Sequence, residues 1–251
     1  MSSNELKILA VPGIPEILPG LDLGEIIAQS TRKANLEIDT GDIFVVAQKI
    51  VSKAEGQVVS LDTIEPSSTA LRWAEFYDKD ARIIEVVLKE SKRLVRMERG
   101  LIISETAHGF ICANAGVDAS NTVPNQVSLL PKDPDESATR ILCALEKEFA
   151  VKLAVIVSDT FGRPWREGQV NVALGVAGIA PLLDYRGQSD SFGRELEATI
   201  IAIADELASA AELLTGKTTQ MPVVVIKGFK YSSEGDNSQQ IVRPPDKDLF
   251  R

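Results

Sequence analysis

Asp159 and Thr160 stand side by side in Val157-Ser158-Asp159-Thr160-Phe161-Gly162-Arg163-Pro164-Trp165-Arg166. A carboxylate, a hydroxyl and a backbone carbonyl are the hard oxygen donors that magnesium or manganese prefers. The apolar run before them reads as a strand that ends at Asp-Thr and opens into a Gly/Pro loop, and loops just past strand ends are favoured ligand sites. An Asp turn that only caps the loop is the competing reading. A second carboxylate lies in a similar setting, Ala113-Asn114-Ala115-Gly116-Val117-Asp118-Ala119-Ser120-Asn121. Its small residues let a ligand approach the backbone. Asp118 is then a candidate second arm of a metal site, and Asn121 a candidate hydrogen-bonding partner for a nucleotide base or ribose. Read alone, the segment is more often a plain turn. The hypothesis rests on the two Asp-bearing strand ends together.

Cations and an anion-binding loop would complete such a site. Gln48-Lys49-Ile50-Val51-Ser52-Lys53-Ala54-Glu55-Gly56 follows another strand, where a lysine can neutralise phosphate as a point charge. Nothing in the residues chooses between Lys49 and Lys53, and a solvated lysine is the plainer outcome. Val11-Pro12-Gly13-Ile14-Pro15-Glu16-Ile17 is an early Pro/Gly loop able to present N–H groups to an anion, or merely to turn. Gly216-Lys217-Thr218 resembles the end of a P-loop, but Ala211 stands where the first glycine belongs and a helix precedes it, so that reading fails. His108 is the single histidine and reads as a hydrogen-bonded structural residue. Arg163, Arg166 and Arg186 are open between carboxylate or phosphate binding and a structural role.

These segments need elements to hold them. Val45-Val46-Ala47 ends a buried strand after the turn at Thr40-Gly41-Asp42. Pro66 to Lys92 carries helical periodicity through Leu71, Trp73, Ala74, Phe76, Tyr77, Ile83, Ile84, Val87 and Leu88, with a break near Asp78-Lys79-Asp80. Short strands are expected at Leu101 to Ser104 and Phe110 to Ala113. Asp133-Pro134-Asp135-Glu136 starts a helix, with a cap, a first-turn proline and acids at the positive end, and the helix should run to about Ala150. Leu153 to Val157 is a strand buried on both faces. A second long helix is expected from about Phe192 to Leu214, ended by Gly216, followed by a strand at Val223 to Ile226 and a polar loop from Ser232 to Ser238. Strands and helices mix without strict alternation, so the class is α/β in the mixed, α+β sense.

Composition bounds the function. The 251 residues are 44% hydrophobic and 25% charged, enough for one large domain or two intimately packed subdomains over residues 1–251. A net charge of −9 argues against a nucleic-acid partner, though not against small phosphorylated ligands. Cys112 and Cys143 both sit in apolar runs and read as buried thiols in a reducing cytoplasm. No secretory leader, membrane span or CxxC zinc pair is expected.

Taken in order, these stretches resemble the coenzyme F-420:L-glutamate ligases. The matching runs are Gly13 to Ile17, Ala47 to Gly56, His108 to Asn121 and Ser158 to Arg166, extended by Asp184-Tyr185-Arg186-Gly187 and Ala204-Asp205-Glu206-Leu207-Ala208. The resemblance implies an unusual mixed α/β fold without a P-loop, a homodimer, and GTP as co-substrate. It also implies two divalent ions, magnesium or manganese, with potassium as a helper in some members. The reaction it implies adds one or more glutamates to the glutamate-free deazaflavin coenzyme F-420 precursor. On its terms Ile14, Pro15, Glu16 and Ile17 line the GTP site, and Gln48, Lys53 and Asn121 contact the nucleotide. Asp118 and Asp159 share one metal, Thr160 helps hold a second, and Asp118, Asp159 and Lys53 carry the catalysis. Gln48 stands where many relatives have a small hydroxyl residue or another polar one. A fused C-terminal nitroreductase-like domain, present in some relatives, is not expected here. The rival readings are a metal-dependent phosphohydrolase, a nucleotide-binding module without turnover, and a related ligase with another amino acid or acceptor.

Overall fold

Three apolar runs make the middle of the fold in the computed structural model, which describes residues 5–120, 122–233, 235 and 237–248. The chain begins with β1 (Lys7–Ala10), α1 (Leu23–Lys33), β2 (Ile43–Ala47), α2 (Gln48–Ala54) and β3 (Val58–Ser60). It continues through α3 (Ser68–Tyr77), α4 (Ala81–Glu90), β4 (Ser91–Glu98), β5 (Leu101–Thr106), β6 (Ile111–Ala113) and β7 (Gln126–Ser128). Then come α5 (Pro134–Phe149), β8 (Ala154–Arg163), β9 (Arg166–Ala177), β10 (Leu183–Asp184), β11 (Ile200–Ile201), α6 (Ile203–Thr215) and β12 (Val223–Lys227).

The main sheet has the order β1-β12-β2-β8-β9. Its centre is apolar on both faces because successive side chains alternate. Phe44, Val46, Val155, Val157, Val223 and Val225 point to one side, where Leu23 and Ile27 of α1 and Ile141 and Leu145 of α5 cover them. Ile43, Val45, Ala154, Ile156, Val224 and Ile226 point to the other, against Ile203, Leu207, Ala208 and Ala211 of α6. The result is three layers, helix on sheet on helix. Each aliphatic side chain fully withdrawn from water contributes roughly 1.5–3 kcal/mol. β2 and β8 run parallel, with Ala47 opposite Ser158, whereas β12 pairs antiparallel with β2, and β9 with β8.

A second layer is built from β4-β5-β6 and the α3–α4 pair, whose own core holds Ala70, Ala74, Ile84, Val87, Ile102 and Ala115. The β3–β7 ladder links the two, and Asp118 pairs with Ser128 beside it through backbone bonds of 3.0 and 2.8 Å. The mixed class, the α3–α4 break at Asp78 to Asp80 and the α5 start at Asp133 match the sequence reading; Asp133 caps α5 by accepting the Glu136 N–H at 2.9 Å.

The structure departs from the reading in four places. The strand after Leu153 does not stop at Asp159-Thr160 but continues to Arg163. β9 pairs with it residue by residue, Asp159 with Val172 and Thr160 with Asn171, and so satisfies its backbone. The Gly/Pro loop thereby shrinks to a tight turn at Pro164-Trp165, with Trp165 at φ 57°. The helix expected from Phe192 begins only at Ile203. Residues 183–201 instead fold back as an arm, with Leu183 paired to Ile201 and Ser189 to Glu195. Its turn is made by Asp190, which accepts the Phe192 and Arg194 N–H groups, and by Gly193 at φ +77°. Third, α3 buries Ala70 and Ala74, leaving Leu71 and Phe76 53% and 78% exposed. Last, Cys112 is buried as expected but Cys143 is exposed, because α5 turns Ile141 and Leu145, not Cys143, toward the sheet.

Candidate active site

β2 and β8 are the one parallel pair among the described strands, so their C-terminal ends open on the same side of the sheet. The start of α2 and the Ser158-Asp159-Thr160 segment therefore emerge side by side. A cavity of about 670 Å³ lies there, lined among others by Ile14 to Ile17, Gln48, Lys49, Lys53, Asp118, Asp159, Thr160 and Lys217. Its size is within the range of small-molecule sites, roughly 300–1,000 Å³. A larger hollow of about 820 Å³ lies between α1 and α5. Its cation is already spent, since Arg140 pairs with both Glu55 and Glu136 at 2.5 and 2.8 Å. We therefore place the chemistry in the smaller cavity.

A bulge prepares the Asp159 position. The register of β8 against β9 shifts between Val157, opposite Gly175, and Ser158, opposite Ala173. Bulges of this kind re-aim side chains beside active sites. The Ala173 N–H at the bulge donates to Asp205 of α6 at 2.8 Å. Gly175 is required where it is, because a Cβ there would lie 2.2 Å from the Pro134 backbone. Asp159 makes no ion pair among the described residues. Burial, with the Asp118 charge adding to it and the Thr160 N–H and nearby lysines offsetting it only in part, pushes its carboxyl up to about 6.

Asp118 is in the opposite condition. Burial would raise its carboxyl, but Lys49 Nζ at 2.6 Å from Oδ2 and the Ser120 N–H at 2.7 Å from Oδ1 hold it below its usual range. Lys53 pairs with Glu16 at 2.5 Å. Thr160 Oγ1 donates to Asn171 Oδ1 at 2.7 Å and accepts from Lys217 Nζ. Gln48 is buried, and its amide nitrogen donates to Ser52 Oγ at 2.6 Å and the Leu129 carbonyl at 2.8 Å, leaving its carbonyl oxygen to offer. Ile17 is part of the core and also lines the cavity.

All described candidates thus meet in one place: Ile14, Pro15, Glu16, Ile17, Gln48, Lys53, Asp118, Asp159 and Thr160 line one cavity. Asn121 lies outside the described residues. Both lysines the sequence left open face the cavity. Lys217, Glu212, Asn171 and Ser158 were missed. Lys217 had been set aside with the failed P-loop motif, and Asn171 is found only through its register opposite Thr160. His108 lies elsewhere, with Nε2 3.0 Å from the Lys132 carbonyl, which fits the structural role expected. Arg163 bonds to the Glu167 and Gly168 carbonyls of its own hairpin, and Arg186 to Asp184.

The donors suit a hard divalent cation. No group of three or more His, Cys, Asp or Glu gathers among the described residues. Of the carboxylates that line the cavity, Asp118 and Asp159 are the pair that would face a cation, while Glu16 and Glu212 pair with Lys53 and Lys217. The Thr160 hydroxyl, the Asn171 amide oxygen and a ligand's own phosphate oxygens would complete an oxygen shell. Asp159, withdrawn from water beside a like charge, is the group such a cation would relieve.

A cleft lined by acids and lysines at the carboxyl ends of the parallel strands, between layers of helices, is where an α/β enzyme places its ligand site. Comparison with known proteins narrows the class. The chain belongs to the F420-0:Gamma-glutamyl ligase family, whose model matches residues 13–228. It is 44% identical over 250 residues to the coenzyme F420:L-glutamate ligase of Methanothermobacter thermautotrophicus, covering 98% of this chain and 99% of that protein. The protein of the same name from Methanopyrus kandleri is 45% identical over 251 residues, 98% of each. That of Methanocaldococcus jannaschii is 43% identical over 235 residues, 93% of this chain and 94% of its own. No helix of the described residues is long and apolar enough to cross a membrane.

Proposed function

We propose that this enzyme joins L-glutamate to the glutamate-free coenzyme F-420 precursor at the expense of GTP. The observation that carries the reading is the convergence of Asp118, Asp159, Thr160 and three lysines on one cavity, in a chain that matches the ligase family over most of its length. A carboxylate is a poor electrophile, so amide formation needs activation. The terminal carboxylate oxygen of the precursor attacks the γ-phosphorus of GTP, the bond to the bridging oxygen breaks, and GDP leaves. The glutamate amine then attacks the acyl phosphate carbon, inorganic phosphate departs, and the nitrogen loses a proton.

Asp118 and Asp159, with Thr160, would hold magnesium or manganese, which when bound neutralises phosphate charge during transfer. Lys53 and Lys217 supply fixed positive charge along the phosphate path. The Ile14 to Ile17 loop and Gln48 line the nucleotide, and Asn121 belongs with them in this reading. Lys53, released from Glu16, meets phosphate oxygens. Potassium as a helper ion, a homodimer and a cytoplasmic location complete the proposal.

Incubation of the protein with the glutamate-free coenzyme, GTP, magnesium or manganese and glutamate, followed by mass analysis, tests it. A gain of one or more glutamyl units is expected. GDP release that needs neither glutamate nor the deazaflavin would make the protein a phosphohydrolase and refute the ligase reading.

A further inference from the structure

Lys49 is held more firmly than a phosphate-seeking lysine needs to be. Its Nζ lies 2.6 Å from Asp118 Oδ2, 2.5 Å from the Ser120 carbonyl and 2.7 Å from Ser120 Oγ. Ser120 closes on the same carboxylate, its N–H 2.7 Å from Oδ1 and its hydroxyl 2.7 Å from Oδ2. The backbone of Asp118 is fixed in turn by its bridge to Ser128. The Lys49 side chain is only 19% exposed, and α2 holds it on the cavity wall with Lys53 one turn further on.

Asp118 and Asp159 therefore differ in kind. One is neutralised by an ammonium group, while the other has no ion pair among the described residues. A divalent cation that uses Asp118 must compete with Lys49 for Oδ2 or sit against its positive charge, and either weakens the cation's binding. Phosphate oxygens in the same cavity would give the ammonium another partner.

We propose that Lys49 is a positioning residue that couples cation loading to nucleotide binding: it occupies Asp118 until phosphate oxygens draw the ammonium away. Free divalent cation then binds weakly, and cation binds tightly when the nucleotide is present, a coupling that is reciprocal by linkage. The inference rests on the nucleotide–metal reading of the cavity. It names Lys49, where that reading had assigned Lys53 and Lys217 to the phosphates and the family resemblance had named Lys53.

Manganese binding to the full chain, followed by the electron paramagnetic resonance of free Mn²⁺ with and without a non-hydrolysable GTP analogue, tests it without any turnover. Wild-type protein should bind Mn²⁺ at least tenfold more tightly with the analogue. Lys49→Met should bind Mn²⁺ alone at least tenfold more tightly than wild type, about 1.4 kcal/mol, and the gap between the two conditions should narrow by the same factor. Lys49→Arg, which keeps the charge, should keep the gap. Lys53→Met removes the same charge from the same cavity without touching Asp118 and should change free Mn²⁺ affinity less than threefold. If Lys49→Met does not fold, Lys49→Gln serves, since it can still bond to Ser120. The coupling is overturned if the Lys49 variant binds free Mn²⁺ no more tightly than wild type, or if Lys53→Met matches it. If wild type binds no Mn²⁺ with or without the analogue, the nucleotide–metal reading falls with it.

Discussion

Replacing Asp159 with Asn should make the protein more stable and far less active. The carboxyl is displaced from its ordinary 3.8 to about 6, chiefly by burial, so its charged form is disfavoured in the folded state. That displacement corresponds to roughly 3 kcal/mol as a ceiling. Because the carboxyl opens on a solvent-filled cavity, about 2 kcal/mol is the working figure. The sign follows from linkage. A carboxyl with a raised folded value binds its proton more readily in the folded chain, so the penalty is complete above about pH 6 and fades as pH falls toward 4. In EDTA at pH 7.5 the Asn variant should gain about 2 kcal/mol in urea unfolding, or about 4–8 °C in Tm for a chain of this size. Near pH 4.5 roughly a third of the gain should remain. Saturating Mg²⁺ with nucleotide should reverse the order, since ligation stabilises only the wild type to the full extent. Turnover should fall by at least about two orders of magnitude, as when an electrostatic stabiliser is lost. A variant less stable than wild type at pH 7.5 in EDTA would show that the carboxylate carries no burial penalty. Wild-type turnover at equal metal concentration would remove Asp159 from the metal site.

Four further outcomes are expected. GTP should support ligation better than ATP in a glutamate-dependent nucleotide-release assay, and equal rates would refute the choice of nucleotide. Gly175→Ala drives a methyl into the Pro134 backbone at 2.2 Å; overpacking of this kind costs about 1–3 kcal/mol, and an unchanged urea midpoint would show that α5 does not press on β9. A thiol reagent should modify Cys143 promptly and Cys112 only on unfolding, because burial pushes the Cys112 thiol up to about 12; two fast thiols counted by absorbance would contradict the placement of Cys112. Light scattering should give a dimer mass, and a clean monomer mass would overturn that part of the proposal.

The central strands were legible because four consecutive apolar residues, as in Val223 to Ile226, leave few alternatives to a strand buried on both faces. The α5 start was legible because Asp133 and Pro134 act locally, within one turn. What failed depended on partners distant in sequence. Asp159-Thr160-Phe161-Gly162-Arg163 has the composition of a loop and is a strand because β9 lies against it. Phe192 to Ile201 has a helical apolar spacing, yet the Asp190 turn and Gly193 fold it back. In the site, the Asp and Lys residues could be picked by type and position, but not their pairing. That Lys49 takes Asp118 and Lys53 takes Glu16 is a matter of where α2 points. Lys217 was hidden behind a motif that is truly absent.

The parallel pairing of Ala47 with Ser158 gives the candidate site an unusual kind of inheritance. Between the two strands the chain travels through a whole subsidiary layer, and changes in the length of those connecting loops cost little, because closure entropy grows only slowly with loop length. A single residue inserted or deleted within β2 or β8 is another matter, since it would swing every following side chain to the opposite face. Changes of length are therefore best tolerated in the turns that join α3 to α4 and β4 to β5, not in the packed helices and strands of that layer, and least of all along β2 and β8.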